Sequence, residues 1–190
     1  MNRARLQIAR LLLLTLTGTI GAIVAGLCVY GSEVFSITSP GFSFVSFGFS
    51  GALIFAFYHV RGLSESITAA VVVSAVQFVA VSQFITMLRA VLFSFGLNIP
   101  VIALAFVFER KLAPHARWKF VVVGLTYGAM FVVLTLIIDL LSGGGGLPAT
   151  LFRENLFDGL LLGTGLGLGI EGGEAMVHSL EMPQTNKHRE

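Results

Sequence analysis

The chain reads as an all-α integral membrane protein, a bundle of six transmembrane helices with the N-terminus and the C-terminus both cytoplasmic. Three observations predict this: a shortage of charge, six apolar runs of bilayer length, and a one-sided distribution of Lys and Arg. Of the 190 residues, 55% are hydrophobic and only 12% are charged, and the mean hydropathy is +0.89. A soluble domain carries about 25% charged residues. With half of that, the chain cannot cover a surface in water, which excludes a soluble enzyme or binding module. Intrinsic disorder requires low hydrophobicity and high charge, so it is excluded as well.

A hydrocarbon core of about 30 Å takes roughly 20 apolar residues per helix. Six stretches qualify, at 11–30, 42–60, 66–87, 90–108, 119–141 and 152–174. The third and fourth form one apolar stretch too long for a single span. Its one charge, Arg89, predicts a tight hairpin near 87–89. The runs are continuously apolar rather than alternating, which favours helices over barrel strands. The first run follows Arg3, Arg5 and Arg10. At about 20 residues it exceeds the roughly 7–15 of a signal-peptide core, and no small-residue cleavage site follows. It is therefore expected to stay as the first span.

Ten of the 12 Lys and Arg residues fall on one side of this layout: Arg3, Arg5, Arg10, Arg61, Arg110, Lys111, Arg117, Lys119, Lys187 and Arg189. Only Arg89 and Arg153 fall on the other. The positive-inside rule then places both ends in the cytoplasm, and a bacterial inner membrane is the expected location. The connections are short, so residues 1–180 form one domain, followed by a polar tail, 181–190, expected to be mobile. The glycine run 143–146 with Pro148 is a break, because four glycines lose too much entropy to order as helix. The 109–119 loop gathers four basic residues with His115 and Trp118. It suits anionic lipid headgroups or a cytoplasmic partner subunit. With the charges confined to loops and ends, nucleic acid is not an expected partner. The lone Cys28 excludes an internal disulfide and any multi-Cys metal or redox motif.

Several constellations are candidates for function. Gly159, Gly163 and Gly167 form a ladder in the sixth span, with Gly165, Gly169 and Gly173 on an offset face, and Gly18, Ala22 and Gly26 repeat the spacing in the first. Small residues at this spacing let helix backbones approach closely. The ladders are expected to pack spans one and six together or to meet another membrane subunit. Gln77 and Asn98 stand about ten residues on either side of the predicted hairpin, which puts both amides near the bilayer centre. An unpaired amide there is costly, so they are expected to pair, with Ser74 one turn away. The pair is either a hairpin lock or part of a solute site, and Pro100 nearby frees a backbone carbonyl. At the outer ends, Arg89, Asp139 and Asp158 converge, joined by Glu33, Arg153 and Glu154. They form either a mouth for a cation or polar solute or ordinary helix-end charges. Glu154 repels Asp158 four residues on, so Arg89 is the expected counter-charge.

Glu171, Glu174 and His178 share one helix face at the inner end. Two carboxylates and an imidazole suit a divalent metal or a proton relay, although the sequence supplies no fourth ligand. Gly172 and Gly173 predict that the helix ends there, which would leave these residues in water. No histidine lies deep in a span as a haem ligand, and no cofactor is evident. No catalytic motif emerges. An enzyme would have to rest on Glu171, Glu174 and His178, and two non-enzyme classes stand beside it. One is a carrier or substrate-binding membrane subunit for a small solute, without proton or sodium coupling through a mid-membrane charge. The other is a non-transporting assembly subunit or anchor of a larger complex.

Overall fold

No proline or charge interrupts residues 11–30, and helix α1 (Arg3–Tyr30) runs through them unbroken. Its 28 residues span about 42 Å at 1.5 Å per residue, enough to cross a bilayer. Thr15, Thr17 and Thr19 return their hydroxyls to the carbonyls of Leu11, Leu13 and Thr15 at 2.8, 2.9 and 2.7 Å, which satisfies them without water. The structure, a computed structural model, describes residues 3–37, 39–83, 87–96, 98, 119–141 and 149–181. It is 94% helix, with no strand among the described residues.

Helix α1 stops at Gly31, whose φ of +53° belongs to the left-handed region that glycine enters without penalty. A 3-10 turn, Gly31–Phe35, follows and tucks Val34 into the core beside Gly26. Helix α2 (Phe42–Arg61) ends on Gly62 at φ +105°, whose N–H bonds back to the Phe57 and Tyr58 carbonyls at 3.1 and 3.0 Å. Helix α3 (Leu63–Val81) starts at once, and Ser66 Oγ ties it to the Ile54 carbonyl of α2 at 3.0 Å. A short α4 (Met87–Val91) widens into a π-helical stretch, Leu92–Gly96. Helices α5 (Lys119–Leu141) and α6 (Ala149–Glu181) complete the described chain. Among the described residues, three segments are long and apolar enough to cross a membrane: Ala4–Phe35, Phe42–Arg61 and Leu63–Val81.

The structure corrects three expectations about these elements. The hairpin expected near 87–89 comes earlier, because α3 ends at Val81 and position 87 already opens α4. Ser82 marks that end by folding its hydroxyl onto the Val79 carbonyl at 3.2 Å, a local bond that competes with helix continuation. The described part of span four changes from α to π helix instead of staying regular. Helix α6 does not end at Gly172 and Gly173 but continues to Glu181, because tertiary contacts with α1 hold that region. A Cβ on Gly173 would sit 2.4 Å from Thr17 Oγ1 and 3.1 Å from Leu14. The glycine run 143–146, the tail from 182 and all of the basic loop before Lys119 lie outside the described residues.

The helices pack antiparallel in sequence, so the bundle has a near end, where α1 begins, and a far end, where α6 begins. Helix α6 lies between α1 and α5 and uses a different glycine face for each. Gly159, Gly163 and Gly167 meet Gly124 and Gly128 of α5. A Cβ on Gly163 would lie 2.0 Å from the Gly124 carbonyl oxygen, and one on Gly128 would lie 1.9 Å from that of Gly159. Gly165, Gly169 and Gly173 meet α1, where a Cβ on Gly21 would lie 2.1 Å from the Gly165 carbonyl oxygen. Gly18, Ala22 and Gly26 mostly serve a different neighbour from the one expected. Ala22 fits against Gly48 of α2 and Gly26 against Phe44, while Gly18 touches both Ala52 of α2 and Ile170 of α6. Tyr127 crosses from α5 to donate to the Phe47 carbonyl of α2 at 3.0 Å and stands edge-on to Phe55.

Contacts this close leave no room for a methyl group. Gly163→Ala is therefore expected to lower stability by about 1–3 kcal/mol through overpacking. Gly172→Ala meets nothing within 4 Å and should gain up to about 1 kcal/mol of helix propensity. Thermal unfolding of the two variants in detergent checks both signs.

Candidate functional site

Five polar side chains from three segments meet between α2, α3 and the π-helical stretch. Asn98 Nδ2 donates to the Ser94 carbonyl at 2.8 Å, to Gln77 Oε1 at 2.5 Å and to Ser74 Oγ at 3.2 Å. Gln77 Nε2 in turn donates to the Ser46 carbonyl at 3.2 Å and to Ser46 Oγ at 3.0 Å. Ser74, Ser94 and Asn98 are buried. A π turn shifts main-chain bonds from the fourth to the fifth preceding carbonyl, and the Ser94 carbonyl takes the Asn98 amide.

The orientation of both amides is fixed by their partners. The Ser46 and Ser94 carbonyls accept only, so each must face an NH2 group. That turns Gln77 Oε1 toward Asn98 and leaves Asn98 Oδ1 on the opposite side. Asn98 Oδ1 and Ser94 Oγ are buried without a hydrogen-bond partner among the described residues. Such atoms are rare, and each costs about 1–3 kcal/mol of desolvation.

The structure thus brings Gln77, Asn98 and Ser74 together, but not at the centre of the bundle. With α3 ending at Val81, Gln77 lies only about 6 Å, four residues at 1.5 Å, from the far end of its helix. Ser46 is likewise four residues into α2. Sequence reasoning missed Ser46 and Ser94. Ser94 was within reach of it, since it precedes Asn98 by four residues and so shares its face.

A second constellation closes the near end. Arg10 of α1 holds Glu174 of α6 through Nη2 at 2.9 and 2.8 Å and through Nε at 3.2 Å. His59 of α2 completes it, with Nε2 lying 3.1 Å from Arg10 Nη2 and 3.0 Å from Glu174 Oε1. One nitrogen cannot accept from Arg10 and donate to Glu174 at once. The tautomer protonated at Nδ1 accepts from Arg10, and the form protonated at Nε2 donates to Glu174.

This triad replaces the metal face expected on α6, because Glu174 turns to Arg10 and His59 and does not join Glu171 and His178. Among the described residues no three His, Cys, Asp or Glu side chains form a group that could hold a metal ion. The charged pair was legible in part: Arg10 and Glu174 are opposite charges at the same end of predicted spans one and six.

At the far end Asp158 accepts a hydrogen bond from the Tyr30 hydroxyl. The phenol is thus a described partner of Asp158, while Arg89, the expected counter-charge, has its side chain outside the described residues. The side chains of Arg89, Asp139, Arg153 and Glu154 lie outside the described residues. Helix α1 is therefore bonded to α6 at both ends, with backbone contact between. No family model, no curated protein and no solved structure matches this chain.

The Arg10–Glu174 pair is only partly buried, with side chains 31% and 20% exposed, so its removal should be felt but not severe. Arg10→Leu is expected to cost about 1–3 kcal/mol, mainly because the Glu174 carboxylate is left with His59 in place of a guanidinium. In the Arg10→Leu/Glu174→Leu double variant the loss should fall short of the sum of the single losses by at least about 0.5 kcal/mol. Denaturant titration of the four proteins measures the difference.

Proposed function

We propose that the chain is a six-span protein of a bacterial inner membrane, with both termini cytoplasmic, that binds a small solute as a carrier or substrate-binding membrane subunit. The proposed site is the cluster of Ser46, Ser74, Gln77, Ser94 and Asn98. The observation that carries this reading is the pair of buried, unpartnered atoms, Asn98 Oδ1 and Ser94 Oγ. A polar set that only locked a hairpin would be expected to satisfy its own members, since a half-satisfied network is worse than apolar packing. Here the amides are held in place by one set of bonds while an acceptor is kept open on the other side. The π-helical stretch that carries Ser94 also fits, because such segments recur at functional sites.

The charge distribution supports a cytoplasmic near end, which sets the proposed site nearer the extracytoplasmic side. Asp158, with Arg89 and Asp139, belongs to that same side and is proposed as part of its mouth. Proton or sodium coupling is not part of the proposal, because no site member is ionisable. The alternative, an assembly subunit or anchor, draws its support from free glycine faces. The described ladders are filled by α1, α2 and α5 from within the chain.

Binding to the folded state raises stability by about 2.7 kcal/mol at 100 times the Kd. Purified protein is to be melted against sugars, polyols, nucleobases, amino acids, potassium and phosphate. At least one compound should protect the wild type and lose that effect in Gln77→Leu. Protection by none, or equal protection of both proteins, contradicts the site. In cells, a fluorescent protein that matures only in the cytoplasm, fused to Glu190, should be bright if the assigned topology holds.

A further inference from the structure

Building on the proposed site, we infer that its ligand is an uncharged solute presenting O–H or N–H donors, and that the fixed polarity of the two amides selects it. Every donor of the two amides is committed. Gln77 Nε2 is held by Ser46, and Asn98 Nδ2 by Ser74, Gln77 and the Ser94 carbonyl. Neither amide can flip, because a flip would set oxygen against the Ser46 or Ser94 carbonyl. The capacity left over is an acceptor, Asn98 Oδ1, and a hydroxyl that can donate or accept, Ser94 Oγ. Ser94 and Asn98 are four residues apart and joined by the 2.8 Å bond from Asn98 Nδ2 to the Ser94 carbonyl, and one small ligand is inferred to meet both orphan atoms.

An anion finds one hydroxyl donor, on Ser94, but meets the lone pairs of Asn98 Oδ1 beside it and no positive charge among the five side chains. A cation finds oxygens but no carboxylate among the five side chains. Burying an unpaired charge costs far more than burying a neutral polar group. A neutral donor-bearing molecule, such as a polyol, an amide or a nucleobase, satisfies both orphan atoms without that penalty. It also gains discrimination, because an analogue without the donor leaves Asn98 Oδ1 buried and unpaired.

The test uses full-length protein in nanodiscs and three neutral probes, erythritol, uracil and nicotinamide. Each is paired with a donor-blocked partner: erythritol tetramethyl ether, 1,3-dimethyluracil or N,N-diethylnicotinamide. Potassium, choline and acetate complete the set. Ser94→Ala removes a hydroxyl that has no partner, so its own melting temperature should equal or exceed that of the wild type. At least one donor-bearing neutral probe should raise the wild-type melting temperature by about 2 °C or more. The donor-blocked partner should fail to do so, and binding to Ser94→Ala should be roughly tenfold weaker. Protection by the blocked partners as strong as by the parents, or protection by the ions alone, overturns the inference while leaving a solute site in place. Protection by no neutral probe also overturns it. Protection by neither neutral probes nor ions, together with none across the wider panel, removes the solute site as well.

Discussion

Two helix faces with no side chains set the geometry of this protein. Where Gly124 and Gly128 meet Gly159, Gly163 and Gly167, and where Gly21 meets Gly165 and Gly169, the backbones themselves are in contact. In lipid, water does not drive helices together, so close van der Waals contact takes over that role. Helix α6 thereby joins α1 to α5, and α2 settles against α1 through Gly48 and Ala52 and against Leu166 of α6 and Tyr127 of α5 through Gly51. Polar bonds then fix the register: Arg10 with Glu174 at the near end, Tyr30 with Asp158 at the far end, and Tyr127 on the Phe47 carbonyl between α5 and α2.

Helix α3 and the segment after it are held differently. They carry no glycine ladder, and α3 packs on α2 through small residues such as Ala69, Ala70, Val73 and Ser66. Its other face, with Val71, Val72, Val76 and Val79, is exposed and suits lipid. The polar cluster therefore lies on the boundary between a tightly packed body and a more lightly attached pair of segments. A small solute would have to enter at such a boundary, because the glycine-packed interfaces cannot open without separating backbones.

Much of this was legible in the sequence, and the rest was hidden for physical reasons. Continuous apolar runs showed where helices α1, α2, α3, α5 and α6 lie, and the i, i+4 glycine spacing on α6 showed two close-packing faces. Which neighbour each face meets was not legible, since a ladder specifies nearness and not identity. Ala22 and Gly26 consequently went to Gly48 and Phe44 of α2, while Gly18 is shared between α2 and α6. The pairing of Gln77 with Asn98 followed from the cost of a lone amide in lipid. Their depth did not, because it depended on where α3 ends, at Val81. The end of α6 was misread at Gly172 and Gly173, where local propensity predicted a break and contact with Thr17 and Leu14 outweighed it. The Arg10–Glu174–His59 triad joins residues from three helices far apart in the chain, a coincidence that no local pattern shows.

Whether the polar cluster admits a solute or only locks a hairpin is tested most directly by its reach to water. In a Cys28→Ser background, Ser94→Cys and Ser66→Cys are to be treated in membranes with 2-hydroxyethyl methanethiosulfonate, which reacts with thiolate and so reports water. Both serines are buried, at 1% and 0% exposure, but the Ser66 hydroxyl bonds to the Ile54 carbonyl inside the helix pair, whereas the Ser94 hydroxyl has no hydrogen-bond partner among the described residues. Modification of Ser94→Cys at least roughly tenfold faster than Ser66→Cys, a difference in access worth about 1.4 kcal/mol, is the predicted result. Equal resistance at the two positions would mean a sealed hairpin lock and would contradict the account.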